Sequence, residues 1–108
     1  MKKGEVGYAD LSPIAGSEQG GMRAAVIISA DDSNSTVTVA PITSKCDNLE
    51  TSAHVKIDGL KYGLSKNSAI LLEHIKIIHE NQFVRCTNCL DETDMIKLND
   101  ALFASLKV

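Results

Sequence analysis

The stretch from Arg23 to Ala40 constrains the chain more than any other part of it. Ala24-Ala25-Val26-Ile27-Ile28 is a short, unbroken apolar run, the pattern of a β-strand covered on both faces. Asp31-Asp32-Ser33-Asn34-Ser35 follows, and such short polar side chains bond their own backbone and turn the chain. Thr36-Val37-Thr38-Val39-Ala40 then alternates, as a second strand does. The two strands are expected to form a hairpin. With its turn centred on Ser33, antiparallel partners have numbers that sum to 66, which sets Ala30 opposite Thr36 and Arg23 opposite Thr43. Directly opposed residues hold their Cβ atoms about 4.5 to 5.5 Å apart. A guanidinium and a hydroxyl are therefore expected side by side at the open end of the hairpin, unless a one-residue slip or a bulge near Pro41 re-aims Thr43.

Gly4 to Leu11, with Val6 and Tyr8, reads as a strand, followed by Ser12-Pro13 and a polar loop, Gly16-Ser17-Glu18-Gln19-Gly20-Gly21. Ser44 to Ala53 is polar and reads as loop or one helical turn. His54-Val55-Lys56-Ile57 alternates as a further strand, and Asp58-Gly59 and Tyr62-Gly63 are breakers around a turn. Ser68 to Ile78, rich in Ile and Leu, predicts a buried strand continuing toward an outer one, and Gln82-Phe83-Val84 a last short strand. Beyond Leu90 the period changes: Met95, Leu98, Leu102 and Leu106 recur every three or four positions on a helix that Asp91 can cap. No repeat occurs, and prolines stand only at 13 and 41, so no linker divides the chain. The expected architecture is a single domain over 1–108, mainly β with α (α+β), with about five short antiparallel strands in a curled sheet closed by a C-terminal helix.

No apolar stretch approaches the roughly 20 residues that cross a bilayer, so no membrane association is expected. Met1-Lys2-Lys3 runs into Gly4-Glu5 with no apolar core behind it, which points to the cytoplasm. The net charge of −3 comes largely from the C-terminal segment, where Asp91, Glu92, Asp94 and Asp100 outnumber Lys97 and Lys107. The nearly neutral main body suits a short RNA held by a few placed donors better than a long duplex bound by counterion release. The three cysteines include one CxxC, Cys86-Thr87-Asn88-Cys89, with no second pair downstream. A zinc site would also need Cys46 and a histidine, whose spacing gives no sign of convergence, so free thiols and no metal are expected. P-loop, Rossmann, HExxH and GxSxG patterns are absent from the sequence, and no cofactor is expected.

Arg23 follows the glycine-rich loop and precedes the buried strand, so its guanidinium is delivered to the rim of the sheet. Guanidinium matches phosphate bidentately and stays charged; a surface pairing with Glu18 or Asp10 is the plainer reading. Glu18 is either a general base or a solvated loop residue. His74 and His79 are an odd number of positions apart, so on one regular strand they face opposite ways and cannot form an acid–base couple. His54 stands alone at a strand start. Tyr8, Tyr62, Phe83 and Phe103 are too few for an extended base-stacking platform.

Lys3-Gly4-Glu5-Val6, Ala9-Asp10-Leu11-Ser12-Pro13, Gly16-Ser17-Glu18-Gln19-Gly20-Gly21-Met22-Arg23 and Ile42-Thr43 closely resemble the MazF/PemK family of toxin endoribonucleases. The likeness continues through His54-Val55-Lys56-Ile57-Asp58, Lys61-Tyr62-Gly63-Leu64 and Ile70-Leu71-Leu72-Glu73, so it covers most of the chain in order. The resemblance implies an SH3-like barrel, a homodimer, a MazE-like antitoxin that occludes the RNA groove, and metal-independent cutting of single-stranded mRNA. In that reaction the ribose 2′-hydroxyl attacks the adjacent phosphate, leaving a cyclic phosphate and a 5′-hydroxyl. Carried over by position, Arg23 stabilises the charge of the pentacoordinate phosphate or protonates a leaving oxygen, Thr43 bonds a phosphate oxygen, and Glu18 is a weaker third member, a base or an orienter. Ser17, Gln19 and Gly20 belong to the loop expected to touch bases, and Glu73 and His74 to the strip expected to contact RNA.

The chain departs from the family pattern at Ala24, where Pro is usual, at His74 (Gln), Lys76-Ile77 (Arg-Thr), His79 (Asp) and Gln82 (a basic residue). A second expectation, from a different class, is a non-catalytic binding toxin on the same barrel, like the gyrase-binding CcdB toxins. Arg23 and Thr43 in their flanking motifs favour the nuclease.

Overall fold

Strand β2 (Met22–Asp31) runs between two cores. Val26 faces a cluster with Val6, Ala40, Ile42, Ile70 and Leu98, while Ala25 and Ile27 face a second one with Ala9, Val37, Val39, Ile78 and Phe83. The computed structural model of the protein describes residues 1–11, 21–44 and 54–106, and the backbone alone of 85–87. Ala25, Val26 and Ile27 are all fully buried, as the unbroken apolar run predicts. Burial of side chains the size of Val26 and Ile27 stabilises by about 1.5–3 kcal/mol each.

The described strands are β1 (Glu5–Asp10), β2, β3 (Thr36–Thr43), β4 (His54–Asp58), β5 (Asn67–Leu71), β6 (Lys76–His79) and β7 (Phe83–Cys89), followed by helix α1 (Glu92–Ser105). They form one 7-stranded antiparallel sheet in the order β4-β5-β3-β2-β1-β7, with β6 also paired to β3. Strand β3 joins the two halves. Its first part, Thr36–Val39, pairs with β6, and its last residues, Ile42 and Thr43, pair with Ile70 and Ala69 of β5. The result is a curled SH3-like half-barrel with α1 laid over the Val26 core, into which Leu98 is fully buried.

The described residues hold seven strands rather than about five, and two of the expected segments take a different course. The apolar run Ser68–Ile78 is broken by a 3-10 turn at Leu72–His74, which carries the chain from β5 to β6 on another part of β3. Strand β7 extends to Cys89, beyond the expected Val84, because the outer edge of β1 offers a ladder from Glu5 to Ala9.

The expected hairpin register holds from Ala25 to Ile27 and fails nearer the turn. Ala25 faces Pro41, Val26 faces Ala40 and Ile27 faces Val39, the pairs whose numbers sum to 66. Nearer the turn, Ala30 faces Val37 instead of Thr36, and Asp31 faces Thr36. The reversal is a tighter one, Asp32–Ser35, held by the Asp31 carboxylate, which accepts from the Ser33 backbone N–H at 3.1 Å, the Ser33 hydroxyl at 2.7 Å and the Asn34 amide at 2.8 Å. These bonds, the Ser33 side chain first, hold the Asp31 carboxyl below its ordinary value. A bulge between Ile27 and Ser29 absorbs the difference, leaving Ile28 without an opposing partner in the ladder.

Helix α1 begins where the spacing predicts. Asp91 is its N-cap, accepting from the Asp94 N–H at 2.8 Å. The Lys61-Tyr62-Gly63 stretch ties this end to the barrel. Lys61 pairs with Asp91 at 3.1 Å, the buried Tyr62 hydroxyl donates to Asp94, and Gly63 ends the Gly59–Tyr62 3-10 turn with φ at 74°. Burial, foremost, pushes the Tyr62 phenol above its ordinary range.

Candidate active site

Arg23 occupies the position the resemblance makes central, at the rim where β2 begins. Across β1 it is paired with Ala9, and one further pair, Asp10 with Met22, completes that ladder before the chain leaves the described residues. The Leu11 N–H bonds the Gly21 carbonyl at 3.3 Å, closing the neck of the 12–20 segment beside Arg23. Ser17, Glu18, Gln19 and Gly20 lie outside the described residues.

Half-buried Arg23 lines a concavity of about 510 Å³ together with Leu11, Pro41, Leu71, Glu73, His74, Ile75 and Lys76. Two permanent cations, Arg23 and Lys76, thus share a space with one carboxylate and one exposed imidazole. This composition accepts a phosphodiester: the cations attract it and the carboxylate and imidazole can exchange protons with it.

Thr43 ends β3. The expected pairing with Arg23 is not among the ladder pairs: the β2–β3 ladder ends at Ala25–Pro41, and Thr43 is paired with Ala69 of β5. It also lines a second concavity, of about 360 Å³, with Tyr8, Ala24, Ile42, Ser44 and Ser68 among its walls. Arg23 and Thr43 therefore border different hollows of the surface, neutral on the Thr43 side and charged on the Arg23 side.

The other histidines take distinct places. His74 closes the Leu72–His74 turn and His79 ends β6, so they do not share one regular strand. His79 is structural: its Nδ1 accepts from the Asn81 N–H at 3.1 Å, and the Gln82 side chain accepts from the His79 N–H at 2.9 Å, forming a capping box. Two positions where the chain departs from the family pattern secure the base of the glycine-rich segment. Lys76 Nζ donates to the Leu11 carbonyl at 3.2 Å and Gln82 Nε2 to the Asp10 carbonyl at 2.9 Å.

His54 does not stand alone. Its side chain, only 5% exposed, touches the Glu73 carboxylate through Nε2. The signal that could have found it is the pairing of β4 with the strand that leads into Glu73, which periodicity by itself does not give. Cys89 is a free, exposed thiol, and among the described residues no three or more His, Cys, Asp or Glu side chains are arranged so that they could hold a metal ion.

Among the described residues, a curled half-barrel of seven strands thus carries a guanidinium at its rim with a charged hollow beside it. Residues 2–106 match the family described as "PemK-like, MazF-like toxin of type II toxin-antitoxin system". The chain is 42% identical to the "Endoribonuclease MazF" of Staphylococcus saprophyticus, over 98% of this chain and 91% of that one. It is 40% identical to the "Endoribonuclease EndoA" of Bacillus subtilis, over 98% and 94%. Among solved structures, a mycobacterial "Endoribonuclease in complex with its cognate antitoxin" superposes with a TM-score of 0.76 at 18% identity, covering 98% of this chain and 94% of that one. MazF from Deinococcus radiodurans superposes with a TM-score of 0.74 at 20% identity, covering 98% and 96%. The protein belongs to the PemK/MazF family of type II toxins.

Proposed function

We propose that this toxin is a ribosome-independent endoribonuclease that cuts single-stranded mRNA at a short sequence and so stops translation. The observation that carries the reading is Arg23 at the barrel rim inside a hollow that also holds Glu73, His74 and Lys76. The ribose 2′-oxygen attacks phosphorus, the bond to the 5′-oxygen breaks, and the products are a cyclic phosphate and a 5′-hydroxyl. Arg23 grips the non-bridging oxygens as their charge grows, and Thr43 bonds a phosphate oxygen from the adjoining strand. A preorganised donor of this kind contributes about 3 kcal/mol or more to lowering the barrier. Glu18 is the third member of this set, and Ser17, Gln19 and Gly20 contact bases from the loop that Lys76 and Gln82 anchor. Glu73 and His74 contact the RNA. The positive charge that the transition state needs is supplied by side chains, so no metal ion is required.

The reading includes a homodimer and a MazE-like antitoxin that covers the RNA groove, in the cytoplasm. Support for self-association comes from the exposed Ile75 and Leu106, which line a hollow of about 550 Å³ with Leu72 and Leu102. No helix among the described residues is long and apolar enough to cross a membrane.

The decisive experiment incubates purified protein with a long RNA in EDTA and maps the ends of the products. Discrete fragments with 5′-hydroxyl termini are expected, and the mapped termini also give the recognised sequence. RNA left intact would instead favour the non-catalytic binding toxin.

A further inference from the structure

The Glu73 carboxylate lies between two imidazoles. His54 Nε2 is in contact with its Oε1, and His74 Nε2 lies 3.5 Å from its Oε2. The arrangement follows from the ladder: His54 pairs with Leu71, and Leu71 leads directly into the turn that carries Glu73 and His74. His54 is buried and therefore fixed, whereas Glu73 is 45% and His74 61% exposed. Both of the exposed groups border the hollow that contains Arg23. The carboxylate thus has a buried imidazole against one oxygen and borders, on its exposed side, the hollow that holds Arg23 and Lys76. The exposed His74 imidazole stands beside it on the same hollow.

We propose that Glu73 accepts the 2′-hydroxyl proton in RNA cleavage, that His54 is its positioning residue, and that His74 protonates the leaving oxygen. This rests on the endoribonuclease reading and assigns a proton path to the same site. The 2′-hydroxyl gives its proton to Glu73 as the 2′-oxygen bonds phosphorus. The bond from phosphorus to the 5′-oxygen breaks, and that oxygen takes a proton from the His74 imidazolium. Glu73 is then protonated and His74 neutral, and transfer across their contact restores both. The other charged groups around the trio are Arg23 and Lys76 in the hollow, and Lys56, Lys97 and Asp100 in the depression on the far side of His54.

The test uses the full chain and an RNA oligonucleotide containing its mapped cleavage site, in two forms: ordinary, and with sulfur replacing the scissile 5′-oxygen, since a thiolate leaves without a proton. Positioned acid–base groups are worth about 10²–10⁴-fold. Glu73→Gln is expected to lower kcat at least about 100-fold with KM within about threefold, on both substrates, and to remove the acidic limb of the kcat profile against pH. His74→Ala is expected to lose a similar factor on ordinary RNA and to recover to within about tenfold of wild type on the sulfur substrate. His54→Gln is expected to lose about tenfold in kcat and to alter the same acidic limb, with its circular dichroism unchanged. If His54→Gln does not fold, Glu73→Gln and the paired substrates decide alone. A Glu73→Gln enzyme within about threefold of wild type, or the acidic limb vanishing in Glu18→Gln instead, overturns the assignment. A wild-type protein that cuts no RNA removes the endoribonuclease reading itself, and the proton path falls with it.

Discussion

Tyr62 and Asp94, both buried, share a hydrogen bond in which the phenol donates to Asp94 Oδ2, while the same hydroxyl accepts the Asp91 backbone N–H at 3.1 Å. One side chain from the turn after β4 thereby satisfies two groups in the opening of α1. Tyr62→Phe leaves the Asp94 carboxylate short of a partner in an apolar setting, with Lys97 Nζ at 3.7 Å as its remaining counter-charge. The expected loss is about 1–3 kcal/mol in urea unfolding, with the denaturant slope unchanged. An equally stable variant would show that the bond is not the anchor of the helix.

The Asp91 cap makes the same junction sensitive to acid. Its carboxyl is held below the ordinary aspartate value, first by the Asp94 N–H and then by Lys61. A depressed folded-state value means the stabilisation is present above the unfolded value, about 3.9, and fades as pH falls through the folded one. Wild type is therefore expected to melt higher than Asp91→Ala at neutral pH, with the difference shrinking in acid. Thermal melts across pH check this, and a gap that persists below the folded value refutes it. Lys61, raised by the same pair, contributes in the opposite sense and is lost only in strong alkali.

Arg23→Ala is expected to keep fold and self-association and to lose at least about a hundredfold in RNA cleavage, or roughly 2.7 kcal/mol. Arg23→Lys is expected to recover only part, because an ammonium keeps the charge but not the two-pronged geometry. Single-turnover rates against circular dichroism decide, and an Arg23→Ala enzyme of full activity would move the chemistry elsewhere.

Gly59 is closed in by backbone. A Cβ built there would lie 2.0 Å from the Ser65 carbonyl oxygen and 2.5 Å from Ser68 Oγ. Gly59→Ala must therefore displace the corner between β4 and β5, at an expected cost of about 1–3 kcal/mol or more. Because Ser65 and Ser68 line the hollow that Thr43 borders, cleavage per folded molecule is expected to fall as well. Urea melts combined with rate measurements at low temperature separate the two effects.

How much of this was legible in the sequence varies by element. The central strand was readable because Ala24–Ile28 has apolar residues at odd and even positions alike, and the helix because Leu98 and its neighbours keep a period that nothing interrupts. The Ala25–Pro41 register was readable only through two departures that offset each other, a shorter reversal and an extra residue at Ile28. Neither leaves a trace in hydrophobic alternation. The contact of His54 with Glu73 was hidden because it depends on which strands become neighbours, a tertiary choice that local patterning does not encode. Tyr62-Gly63 read as a turn, which it is, but the phenol's partners lie 29 and 32 positions away on the helix.

The unopposed Ile28 uncouples the two ends of its hairpin. A residue gained or lost at the Asp32–Ser35 tip can be taken up halfway along, before it reaches Ala25 and Pro41. The tip is thus free to drift in length or to carry a grafted peptide, while the reactive rim keeps its spacing.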